Sequence, residues 1–121
     1  MVARTMSFHL KPGLSGEFRR LLDQDILPML RKHEGFQDQM TLVAANRAEA
    51  IDITFWDRLE HAEAYARDAY TGVVKALEHV VQGTPLVQTY EVSSSTLHPV
   101  AVAVPVAIPV SIPVSFPVRA V

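Results

Sequence analysis

The sequence predicts an α+β domain of the ferredoxin-like type, with the element order β-α-β-β-α-β. Three observations predict it. Ile51-Asp52-Ile53-Thr54-Phe55-Trp56 alternates in polarity and is rich in β-branched and aromatic residues, the mark of a strand. At Asp57 the period changes. Leu59, Ala62, Ala66, Ala69 and Val73 recur at helical spacing, so a strand feeds directly into a helix. A second alternating stretch, Phe36 to Ala45, precedes the first across the short polar turn Asn46-Arg47-Ala48-Glu49, which is an antiparallel hairpin pattern.

Length and composition bound the rest. A chain of 121 residues supports one domain with a modest core. It contains no cysteine, which excludes disulfides and thiolate chemistry. The net charge is -2 with both signs interspersed, so there is no basic stripe for nucleic acid. The N-terminus lacks a charged segment followed by an apolar run, and a cytoplasmic location with no membrane partner is the expectation.

In chain order, Arg4 to Leu10 forms the first strand. Met6, Phe8 and Leu10 face one way; Thr5, Ser7 and His9 face the other. Lys11-Pro12-Gly13 ends it, and Ser15 is placed to cap the first helix. Phe18, Leu21, Leu22, Ile26, Met29 and Leu30 make that helix's apolar stripe, with Pro28 expected to kink or split it. Gly35 fits just past its end, with Phe36 folding back. Asp57 and Glu60 have the spacing of a capping box for the second helix, from about Arg58 to about Val81, weakened at Thr71-Gly72. Gly83-Thr84-Pro85 closes it, and Leu86 to Val92 is the last strand. Both sheet faces then carry apolar groups: Met6 and Phe8 on one, Ile53 and Phe55 on the other. A small domain rarely leaves a broad apolar sheet face in water, which predicts a homodimer through that face.

The histidines, five in number, offer no metal site. His61 and His79 are about 27 Å apart along a helix, and no HExxH pattern or histidine-carboxylate cluster has ligand spacing. His9 is different, because it sits on the first strand with two destinations open, a sheet-sheet interface or a pocket. Trp56 at the strand-helix junction can be plain core or can line a pocket with Tyr65 and Tyr70, an aromatic box for a flat substrate. Asp52, a lone acid within a strand, is expected to face solvent or a dimer partner. No phosphate loop, nucleophile elbow or paired carboxylates occur.

Ile53-Thr54-Phe55-Trp56-Asp57, followed by Ala62, Tyr65 and Tyr70, resembles the antibiotic biosynthesis monooxygenase-type domain. Pro28 with Gly35-Phe36, and Val87-Gln88-Thr89-Tyr90-Glu91-Val92, add to the resemblance, which spans residues 1–97. It implies a dimeric α+β barrel with a pocket between sheet and helices. It also implies a cofactor-free oxidation of an aromatic or quinol-like small molecule, with no cofactor or metal. In that reading His9 and Tyr70 are the candidate catalytic residues, and Trp56, Tyr65 and Phe55 line the pocket. The haem-degrading branch uses an Asn, a Trp and a His whose places here hold Met6, Tyr65 and Lys75, so haem chemistry is not expected. The alternative is a non-catalytic dimeric binding or structural protein of the same fold.

Residues 98–121 are another kind of sequence. From Pro99 to Val118 every even position is Val, Ile or Phe, and every odd position is Pro, Ala or Ser. The proline content and the period of two argue against a membrane helix. Two readings remain. One is a polyproline-like extension. The other is an edge strand whose missing N–H donors all lie on one side.

Overall fold

The structure is a computed structural model that describes residues 1–97. The readings made for the Pro-Val segment lie outside the described residues. Four strands form one antiparallel sheet in the order β2-β3-β1-β4: β1 (Val2–Leu10), β2 (Phe36–Val43), β3 (Glu49–Trp56) and β4 (Val81–Glu91). The helices α1 (Ser15–Leu21), α2 (Leu27–Leu30) and α3 (Leu59–Leu77) connect the strands and bury the apolar face of β1. This is the ferredoxin-like α+β arrangement that the sequence predicts. Among the described residues no helix is long and apolar enough to cross a membrane.

Pro28 does not split the first helix, whose backbone stays helical from residue 15 to residue 30, but a π-turn precedes it. The turn Leu22–Ile26 between α1 and α2 is π-helical, with the Leu27 amide bonded to the Leu22 carbonyl, and Pro28 then sits in the first turn of α2. The wider π-turn ahead of the proline gives its ring room within the helix. Three local expectations are corrected. Leu14, not Ser15, occupies the cap of α1, and no side chain bonds the free amides there. Asp57 does not cap α3; Arg58 holds that place while the Asp57 carboxylate bonds His61. The helix α3 runs unbroken through Thr71-Gly72, because Gly72 faces open space and nothing packs there to bend it.

The fourth strand begins at Val81, earlier than the turn residues suggest. Gly83 adopts φ +73, and the pairing with β1 shifts register between Ser7 and His9, so Gly83-Thr84-Pro85 forms a bulge inside the strand. Pro85 is tolerated because β4 is an edge strand of the sheet among the described residues.

The burial pattern divides the sheet. On β1, the phase Met6-Phe8-Leu10 points at the helices and packs with Phe18, Leu22, Leu77 and Val80. On β3 it is the polar phase, Asp52 and Thr54 together with Ala50 and Trp56, that is buried, while Ile51 is exposed. On β2, Met40 and Leu42 are likewise exposed, and Gln39, Thr41 and Val43 are half-buried. Leu86 and Tyr90 of β4 join Met40, Leu42 and Ile51 among the exposed large apolar residues.

Candidate functional site

The strand register places six polar residues together on the helix-facing side. Gln39, Thr54, Arg4 and Thr89 pair across the four strands in one row. Thr41, Asp52, Met6 and Val87 form the next. Paired residues project to the same side of a sheet, so both rows face the helices, with Arg4 against Tyr65 and Tyr70 of α3 and with Gln39 and Thr41 opposite α1.

Asp52 is only 5% exposed, and its Oδ1 accepts hydrogen bonds from the Gln39 amide and from the Thr41 hydroxyl at 3.1 Å. Burial raises its pKa above the ordinary carboxyl value; the bonds from Gln39 and Thr41 and the charge of Arg4 oppose the rise. The expectation that Asp52 faces solvent or a partner is therefore wrong. In β3 the register puts it in phase with the fully buried Trp56.

Trp56 stacks on Tyr65 with ring centres 5.0 Å apart, and its indole N–H donates to the Thr54 hydroxyl at 2.9 Å. Phe36 and His33 close the cluster edge-on, Phe36 against Trp56 at 5.7 Å and His33 against Tyr65 at 5.2 Å. Burial pushes the Tyr65 phenol up to about 12, so it remains a neutral hydroxyl. Tyr70 is half-buried on the same helix. The Arg4 guanidinium bridges the two tyrosines, 5.5 Å from the Tyr65 ring centre and 5.2 Å from that of Tyr70.

The sequence-based candidates do not all converge. Trp56, Tyr65 and Tyr70 come together on the helix side. Phe55, one residue from Trp56, projects to the open face and is separated from the pocket by the sheet itself. His9 is exposed on that same open face, at the end of β1 opposite Glu49 and Gln82. Within one chain it meets neither Tyr70 nor Trp56. Arg4, Asp52, Gln39 and Thr41 are the site residues that the sequence reading passed over. One signal was available: Arg4 lies in phase with Met6, Phe8 and Leu10, a charge in the apolar register of its strand.

A cleft of about 740 Å³ opens between α1 and β2, lined by Arg19, Leu22, Gln39, Thr41 and Arg47 among others. Gln39 and Thr41 thus face the cleft and hold Asp52 from the same side chains. At the other end of β3, His61 Nδ1 lies 2.6 Å from Asp57, and Nε2 lies 3.4 Å from Glu34. The bond from His61 holds the Asp57 carboxyl below its usual range. Gly35, at φ +86, lets this pair approach; a methyl there would overlap the His61 ring and the Asp57 carboxylate. Among the described residues no group of three histidines or carboxylates is gathered to hold a metal ion.

No family model matches the chain, and neither does any curated protein. Solved structures do match. One is a Bordetella bronchiseptica protein assigned by name to the antibiotic biosynthesis monooxygenases, at TM-score 0.68 and 12% identity, over 77% of this chain and 97% of that one. Another is a Deinococcus radiodurans protein of the same assignment, at TM-score 0.64 and 18% identity, over 78% and 95%. A third is the monooxygenase of the ActVA-Orf6 gene of Streptomyces coelicolor in complex with nanaomycin D, at TM-score 0.68 and 13% identity, over 80% and 91%. The chain has the fold of the antibiotic biosynthesis monooxygenase-type proteins. At these identities the likeness concerns the fold, and the side chains described above are this chain's own.

Proposed function

We propose that this chain is a cofactor-independent monooxygenase of an aromatic or quinol-like small molecule, working as a homodimer that stacks its open sheet faces. The observation that carries this reading is the pairing of the Trp56-Tyr65-Tyr70 cluster with a buried carboxylate whose two hydrogen-bond donors line a cleft. The Streptomyces coelicolor neighbour, with nanaomycin D bound, supports a small-molecule role for this fold.

The residues divide the work. The cleft admits a small molecule to Gln39 and Thr41, and Tyr70 on α3 supplies a partly exposed ring and hydroxyl. The base is Asp52 acting through Thr41. A substrate hydroxyl donates to Thr41 Oγ1 while the Thr41 proton passes to the carboxylate. Burial of Asp52 raises its proton affinity toward that of an acidic phenol or enol. The resulting anion passes one electron to molecular oxygen, and the radical pair recombines as a hydroperoxide. Loss of water from it leaves a carbonyl. His9, exposed on the opposite face, has no part in this scheme and belongs to the dimer surface.

Oxygen uptake with an anthrone or a hydroquinone, in metal-chelated buffer against a boiled control, tests the reading. Uptake above the control is expected. Uptake equal to the control across such substrates moves the assignment to a binding protein of the same fold. Light scattering at micromolar concentration should give a dimer mass, because the open face exposes Leu86 at 59%, Tyr90 at 50% and Leu42 at 47%.

A further inference from the structure

Arg4 is the most unusual residue of the helix-facing side. It is 6% exposed, in the middle strand row, and its guanidinium makes no hydrogen bond or ion pair among the described residues. Its neighbours are two ring faces, Tyr65 and Tyr70, and the more distant charge of Asp52. An arginine carries five N–H donors in a rigid fork. Ring faces meet the charge but leave the in-plane donors unanswered, and buried donors are almost always paired. Asp52 does not answer them, since its Oδ1 is engaged by Gln39 and Thr41 and no oxygen of it lies within ion-pair distance of Arg4.

We propose that Arg4 anchors the ligand of this site by binding an oxyanion conjugated to a planar aromatic ring, either a ring enolate or an aryl carboxylate. The inference rests on reading the helix-facing cluster as a small-molecule site, and adds to it the charge of the ligand. The geometry favours this class on three counts. The guanidinium fork matches a resonance-shared oxyanion. Tyr70, half-buried beside the guanidinium, offers ring surface for a flat ligand, while Tyr65 behind it is held between Trp56 and Arg4. Gln39 stands in the same row as Arg4, two strand spacings or about 10 Å away, and lines the 740 Å³ cleft, so the row that carries Arg4 ends at a solvent-filled opening. Desolvation by the surrounding core lowers the guanidinium's proton affinity without discharging it, so an incoming anion meets a positive charge in a dry setting.

Trp56 is the single tryptophan of the chain and stacks directly on Tyr65, so its fluorescence reports occupancy of the Arg4 site. The full chain is titrated with 2-hydroxy-1,4-naphthoquinone and its methyl ether, and with 2-naphthoate and its methyl ester. Each pair differs in the oxyanion and little in shape. Wild-type protein should bind at least one anion 10-fold or more tighter than its neutral partner, and Arg4→Met should remove that preference while the neutral affinity stays within about 2-fold. Arg4→Lys, which keeps the charge and loses the fork, should fall between them. The two arms separate the enolate from the carboxylate. Equal affinity for anion and neutral partner in both wild-type pairs overturns the proposal, and so does a preference that survives Arg4→Met. Should Arg4→Met not fold, by circular dichroism, the wild-type ratio and the lysine variant decide. Binding is read without turnover, so a flat oxygen-uptake result leaves this test intact.

Discussion

Strands β1 and β3 are neighbours in the sheet, and they use their alternation in opposite senses. On β1 the apolar phase, Met6, Phe8 and Leu10, is buried under the helices. On β3 the apolar phase, Ile51, Ile53 and Phe55, points to the open face, and Asp52 and Thr54 are turned inward. The strand β2 follows β3, with Gln39 and Thr41 inward and Met40 and Leu42 outward. Both choices follow one rule: an apolar phase needs a partner layer. For β1 the layer is α1 and α3; for β2 and β3 it is a second copy of the sheet under the dimer reading. The inward polar phase of β3 is a cost that a purely structural domain has no reason to carry, because a buried carboxylate and guanidinium stabilise less than packed aliphatic groups of the same volume.

The contrast can be broken from the β1 side first. Phe8→Ala, at a position 3% exposed and packed edge-on against Phe18 with ring centres 5.2 Å apart, should cost about 3–5 kcal/mol. For a body of this size that is roughly 12 °C or more in melting temperature, read by circular dichroism. Asp52→Asn on β3 should do the reverse. The amide still accepts from Gln39 and Thr41, so the fold survives, while oxygen uptake falls by about 10²-fold or more with loss of the base.

The pH dependence of Asp52 carries a definite sign. Its folded pKa is raised, so the rate should climb with pH through a limb above the ordinary carboxyl range, and Asp52→Asn should lack that limb. In stability the sign is opposite. The raised value means the folded state holds this proton more tightly, so the associated stability is present in acid and is lost as pH rises through the raised pKa. The melting temperature of Asp52→Asn, measured across the same pH range, should not show this decline.

Ile51→Lys tests the outward phase. It places a charge on the open face at a residue already 38% exposed. Its expected effect is a monomer mass in light scattering with a melting temperature shifted only by the lost association; a persistent dimer would show that the stacked faces are not the interface. The smallest effect is expected from ending the chain after Leu97. All four strands and the described core lie before that point, so the melting temperature should stay within a few degrees. A fall of more than about 10 °C would mean that residues 98–121 contribute to the folded body.

The sequence by itself determined the order of the elements, the β2-β3 hairpin, the irregularity of the first helix near Pro28 and the strand-to-helix junction at Trp56. Each of these rests on local chemistry: period, turn residues, and a missing backbone donor. It also determined which residues share a face, since alternation does so for any strand. What it left open is which of the two faces of β3 meets the helices. That choice is made by β1, whose register with β3 sets Arg4 beside Thr54 and Met6 beside Asp52, and so carries the polar phase of β3 inward with the apolar phase of β1. Only the tertiary structure could bring Arg4 to the side of the sheet that holds Asp52, Gln39 and Thr41, because β1 and β3 are far apart in the chain and no local period records their pairing or the phase of the hairpin that faces the helices.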